Sequence, residues 1–160
     1  MTNKIADFVQ IMNSVNFCYQ GDALFMNVQD KFDQIMQEAA QVAIATLTID
    51  GQAPDVRIVL FVYLPETHQL LFMSGADSPK VAEITAHSVA AFTTQAVSEQ
   101  KYARAKQAKI QKVTLTDSMK QAYFDKFPNS AAYAAHNDFF TVDFNSVDVT
   151  ADNQTETLTF

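Results

Sequence analysis

The stretch that most limits the fold runs from residue 42 to residue 64, VAIATLTIDGQAPDVRIVLFVYL. Branched and aromatic side chains fill it on either side of one polar interruption. Such side chains lose rotamer freedom in a helix and pack well on a pleated surface. Asp50 and Gly51 supply turn chemistry at the interruption, and Pro54 follows soon after. Two strands joined by a turn that can exceed two residues are therefore expected. In the second strand Val56, Ile58, Leu60 and Val62 share one face, and Arg57, Val59, Phe61 and Tyr63 share the other. Apolar residues on both faces imply a closed or covered sheet.

The same pattern continues. LLFM at 70–73 reads as a third strand after the turn PETHQ. PKVAEITAH at 79–87 reads as a short helix and VAAFTTQ at 89–95 as a strand. Upstream, Ile5, Phe8, Ile11 or Met12, and Val15 have helical spacing over 3–15, and Phe32, Ile35, Met36 and Ala39 repeat it over 29–40. The stretch between them is ambiguous, with a short extended pair around Gly21 and Asp22 as one reading. Thr116 or Asp117 can cap a helix across DSMKQAYFDKF, which Pro128 ends. SAAYAAH reads as a helical turn, and DFFTVDF and TETLTF read as closing strands. For KYARAKQAKIQKVTL at 101–115, propensity favours a helix and a long strand pair is the alternative.

Composition narrows the class. A chain of 160 residues with 48% hydrophobic content suits one domain with a real core. A net charge of -7 argues against non-specific binding to nucleic acid or to an anionic membrane. Five of the eleven basic residues lie between Lys101 and Lys112, and they read as an exposed face with Arg104, Lys106 and Lys112 on one side and Lys101 and Lys109 on the other. Cys18 is the only cysteine, so an intrachain disulfide is excluded, and it reads as a small buried hydrophobe. His68, His87 and His136 have no metal-binding spacing. No secretory signal is seen, and IVLFVYL is too short for a spanning helix, so a cytoplasmic protein is expected.

The order and spacing of four pieces resemble a known family. They are Asp50-Gly51 with Pro54, Arg57-Ile58-Val59-Leu60, Phe72-Met73-Ser74, and Ser78-Pro79-Lys80. Together, over residues 42–95, they resemble the FMN-binding split β-barrel family, whose best-known enzyme is pyridoxamine 5'-phosphate oxidase. The resemblance implies a mainly β fold, a six-stranded antiparallel split barrel of Greek-key type with accessory helices. It implies one domain over 1–160 with an N-terminal helical segment at about 1–40. It turns 101–115 from helix into barrel strand, with Tyr102, Arg104, Lys106, Ala108 and Ile110 on one face. It implies a homodimer with FMN at the subunit interface, FAD being the alternative, and NADH, NADPH or another small redox substrate as partner. The implied activity is an oxidoreductase working through flavin N5. The alternatives are a non-catalytic flavin-binding protein and a ligand-free interaction module.

The cofactor-binding residues carried over are Arg57, Ile58, Val59, Phe72, Ser74, Ser78, Lys80 and Gln95. No catalytic side chain is assigned. Ser78 suits an N-cap and Pro79 the first helical position. Lys80 then opposes the helix dipole, and a bound dianion would reverse the sign of that interaction. Arg57 is the only lysine or arginine between Phe32 and Pro79, and it interrupts an apolar strand. It needs a partner or an exit to water: a phosphate, Asp55, or solvent at the barrel rim. The chain also departs from the oxidase. Val62 and Pro79 stand where the oxidase carries a lysine and an arginine, and the residues that grip the substrate's own phosphate have no equivalent. Oxidation of pyridoxamine 5'-phosphate itself is therefore not expected.

Overall fold

The structure, a computed structural model, describes residues 26–160. The helix expected at 3–15, the extended pair at Gly21 and Asp22, and the surroundings of Cys18 lie outside the described residues. The first described element is helix α1, Val28–Glu38, capped by the Asn27 side chain, which accepts from Asp30 N–H.

Strands β1 (Gln41–Leu47), β2 (Pro54–Leu64) and β3 (Gln69–Gly75) form an antiparallel meander. The β1–β2 turn is longer than two residues. Asp50 ties it by accepting from the Thr48 hydroxyl and the Gln52 N–H, and Gly51 takes φ +69 there. Helix α2 (Pro79–Ala86) leads into β4 (Val89–Thr94), which returns to lie beside β1. The order β4-β1-β2-β3 is a Greek key. β4 also pairs with β5 (Tyr102–Val113), and β6 (Asn137–Asp143) lies between β5 and β3. Those pairings close six strands into an antiparallel barrel. Helix α3 (Asp117–Lys126) and a 3-10 segment, Pro128–His136, connect β5 to β6.

The strand reading of 101–115 prevails over helix propensity because β5 has three neighbours to satisfy: β4, β6 and β7. The single face expected along it does not form. Phe92 pairs with Ala105 and Ala90 with Ala108, so β5 holds one residue more than β4 over that interval. This bulge flips the in-and-out phase. Ala103 and Ala105 point inward before it, and Ala108 and Ile110 after it, while Arg104 and Lys106 point outward. The expected split of the basic residues shifts for the same reason: Lys109 joins Arg104 and Lys106 in the outward phase, while Lys112, in the phase of Ile110, is exposed near the strand end.

Two strands extend the sheet beyond the barrel. β8 (Gln154–Thr159) corresponds to the expected closing strand. Its partner β7 (Ser146–Ala151) was not expected, although Val147, Val149 and Ala151 alternate inward. Asp152 and Asn153, both at positive φ, join them in a two-residue hairpin turn.

The core fills from both ends. α1 lays Phe32, Ile35 and Met36 over the end where β2 finishes, and the Phe32 ring meets Tyr63 and Phe144 edge-on. α2 buries Ile84 at the opposite end. α3 presses Tyr123 onto the outer side of the barrel, against Val62, Leu71 and Phe139. That cover stops short of the first half of β2. Val56 and Ile58, 60% and 67% exposed, and Leu60 beside them, form an open apolar strip. Across the ladder Ala45 faces Val56 and Ala43 faces Ile58, so the open surface is low and flat. No described helix is long and apolar enough to cross a membrane.

Candidate anion site at the start of helix α2

β3 ends at Ser74 and Gly75, and the Ser78 N–H closes a turn onto the Gly75 carbonyl at 3.0 Å. Pro79 then starts α2. Ser78 has the extended backbone of an N-cap, but its hydroxyl caps no helix N–H. Lys80 Nζ donates to it at 3.0 Å, and to the Ser74 hydroxyl at 2.9 Å. Ser74 is buried and Lys80 half-buried. Burial first, and the nearby Arg57 charge second, lower the Lys80 pKa below its ordinary value. No described carboxylate forms a salt bridge with Lys80. A cation on two hydroxyls beside an uncapped helix start thus has no carboxylate bonded to it, with Glu83 acting on it only at longer range. Such a set suits a phosphate or carboxylate.

Arg57 lies at the same end of the barrel in a different setting. Its Nη1 donates to Glu83 Oε2 at 2.8 Å and to Thr46 Oγ1 at 2.7 Å, and its Nη2 donates to Asp55. The Thr46 hydroxyl in turn donates to Glu83 at 2.6 Å. Glu83 is 5% exposed, and the Arg57 hydrogen bond holds its carboxyl below the usual range. The fork that the sequence offered to a phosphate therefore holds two carboxylates. Asp55 was foreseen as a partner, but Glu83 and Thr46 were not. The available signal was an acidic residue next to Ile84 on the buried side of a short helix.

The other expected residues do not gather here. Ile58 points outward on the open strip, and Val59 points toward the core, partly buried. The Phe72 ring is 1% exposed and stacks on Phe140 inside the barrel, with centroids 5.3 Å apart. Gln95 is exposed just past β4, and its N–H bonds the Gln41 carbonyl at 2.9 Å. Gln41 pairs with Leu60, whereas Arg57 pairs with Ile44, so Gln95 sits well along the sheet from Arg57. Val62 faces the apolar cluster under α3, so packing occupies the side that a lysine would otherwise present.

Two of the three histidines are engaged elsewhere. His68 Nδ1 lies 2.9 Å from the Tyr63 hydroxyl, with its ring stacked on Phe160, and His87 Nε2 lies 3.0 Å from the Ile49 carbonyl. No described group of three or more His, Cys, Asp and Glu residues could hold a metal ion. An open groove of about 1290 Å³ runs outside β1, β4 and β5, past Leu47, Val89, Ala91 and Lys109. Arg104 and Lys106 on its wall both reach Asp148, at 3.5 and 2.8 Å.

Residues 35–154 match the pyridoxamine 5'-phosphate oxidase-like family. A comparison with curated proteins finds no match. Among solved structures, the fold is similar to a heme binding protein from Mycobacterium smegmatis, with TM-score 0.69 and 12% identity over 84% of this chain and 58% of that one. It is similar to a protein related to general stress protein 26, of the pyridoxinephosphate oxidase family, from Clostridium acetobutylicum. There the TM-score is 0.65 and the identity 6%, over 84% of this chain and 96% of that one. It is also similar to HutZ, the heme storage protein from Vibrio cholerae, with TM-score 0.57 and 14% identity over 74% and 90% of the two chains. At these identities the likeness is one of fold.

Proposed function

The chain belongs to the pyridoxamine 5'-phosphate oxidase-like family, and from that premise we propose that it is a homodimeric FMN-dependent oxidoreductase that holds the cofactor phosphate at Lys80. The observation that supports this most is the Lys80 ammonium, set on the Ser74 and Ser78 hydroxyls at the start of α2 with no described carboxylate bridged to it. Lys80 would supply charge, and the two hydroxyls would turn their protons to the phosphate oxygens. Bound FMN would supply hydride acceptance and donation. Arg57 does not fit a phosphate as it stands, because Glu83 and Asp55 hold it.

The open strip of Val56, Ile58 and Leu60 supports the dimer. An exposed apolar sheet face on a small domain marks a contact surface, and a two-fold pairs the same strip on two copies. A flat aromatic ring at such an interface would be shielded from water by side chains of both copies.

One observation favours a second reading, a flavin-binding protein without catalysis. Glu83 and Asp55, the carboxylates bonded to Arg57 at this end of the barrel, are committed to that cation and are not free to act as general acid or base. Loading the protein with FMN and adding NADH or NADPH without oxygen separates the two. Bleaching of the flavin absorbance, followed by turnover with an electron acceptor, supports the oxidoreductase. A yellow protein that neither nicotinamide reduces leaves only the binding role. Failure to take up FMN overturns both.

A further inference from the structure

We propose that Glu83 is a built-in counter-anion that occupies Arg57 in place of a ligand phosphate, so that anion affinity at this end of the barrel rests on Lys80 with Ser74 and Ser78. The two cations stand close together but are treated differently. Arg57 carries two carboxylates, and its side chain is only 19% exposed. Lys80 carries hydroxyls alone. An incoming dianion at Arg57 would have to displace Glu83 from hydrogen bonds to both Arg57 and Thr46, inside the protein. It would leave that carboxylate buried without its cation, which is costly. An anion at Lys80 displaces only serine hydroxyls, which can rotate to donate to it.

Position adds a second argument. Glu83 lies three residues after Lys80 on α2, and Arg57 and Thr46 lie on β2 and β1. The Arg57–Glu83 pair therefore pins the helix whose first turn carries Lys80. Glu83 also sets selectivity. Its negative charge near the cradle limits how much anionic charge the site accepts, and removing it should open a second anion position between Arg57 and Thr46. The choice of phosphate as probe rests on the FMN reading above, while the role of Glu83 does not.

The test uses calorimetric titration of inorganic phosphate and of FMN into the wild type, K80A, E83Q and the double variant R57Q/E83Q. Thermal melts verify that each is folded. Gln is isosteric with Glu, and the double variant replaces the ion pair by an amide pair. E83Q should bind inorganic phosphate more tightly than the wild type, by up to about 10-fold, because Nη1 loses its carboxylate while Asp55 still holds Nη2. R57Q/E83Q should lose that gain yet keep FMN affinity within about 3-fold of the wild type, while K80A falls by about 10-fold or more. Unchanged phosphate affinity in E83Q, or a double variant as weak for FMN as K80A, overturns the proposal. If E83Q fails to fold, the double variant against K80A still decides. If the wild type binds neither ligand and E83Q gains phosphate binding, the FMN reading fails and the role of Glu83 stands. If neither protein binds, both fail.

Discussion

Arg57 and Lys80 are cations at one barrel end, and their neighbours give them different tasks. Arg57 is a partly buried tie between β2, β1 and α2, bonded to the buried Glu83. Truncating it to alanine strands Glu83 with Thr46 as its remaining hydrogen-bond partner. Breaking one side of a buried pair costs about 3–5 kcal/mol, so urea unfolding of R57A should show a loss of that size. The same pair predicts a pH dependence. The Glu83 pKa is lowered in the fold from 4.5, so the unfolded chain takes up the proton first as pH falls. The stabilisation is fully present above about pH 4.5 and is lost as pH drops through the lower folded value. E83Q should flatten this acid limb. A stability curve for E83Q that falls as steeply as the wild type below pH 4.5 would place the acid sensitivity elsewhere.

At the scale of elements, the sequence exposes most where local chemistry and tertiary packing agree. The meander of 42–73 follows from its alternation and turn residues, and α2 from Ser78 and Pro79. The Thr116 cap is equally local: its hydroxyl accepts from Met119 N–H. T116A should lose about 1 kcal/mol in chemical denaturation. β5 is legible only through the family resemblance, because its alanines, lysines and glutamines favour a helix in isolation. Its bulge is not legible at all, since one extra residue is defined by register against β4. β7 is only weakly marked in the sequence, by Asp152 and Asn153, residue types that tolerate the positive φ of its turn. N153G should leave the hairpin intact and raise stability by a few tenths to about 1 kcal/mol, as glycine adopts that conformation without strain. A drop in melting temperature would show that the Asn153 side chain itself matters. In the site, Ser74, Ser78 and Lys80 come together as their sequence spacing allows. The partner of Arg57 was hidden because Glu83 reaches it only after α2 folds across the barrel end.

For the whole molecule, the open strip on β2 and the cradle at α2 support the proposed assembly of two copies, each holding an anionic cofactor. I58E puts a charge in the middle of the strip and should give a monomer by light scattering, with the barrel's melting behaviour kept. A wild type that is already monomeric at micromolar concentration removes the interface. Titrating FMN and riboflavin into the wild type and K80A, followed by flavin fluorescence, tests the proposed hold of Lys80 on the cofactor phosphate. The two ligands share the ring and the ribityl chain and differ in the phosphate. FMN should bind the wild type about 10- to 100-fold more tightly than riboflavin, the worth of one strong charge-assisted contact, and K80A should bring the two affinities together. Equal affinities for FMN and riboflavin in the wild type, or a preference for FMN that survives in K80A, would contradict it.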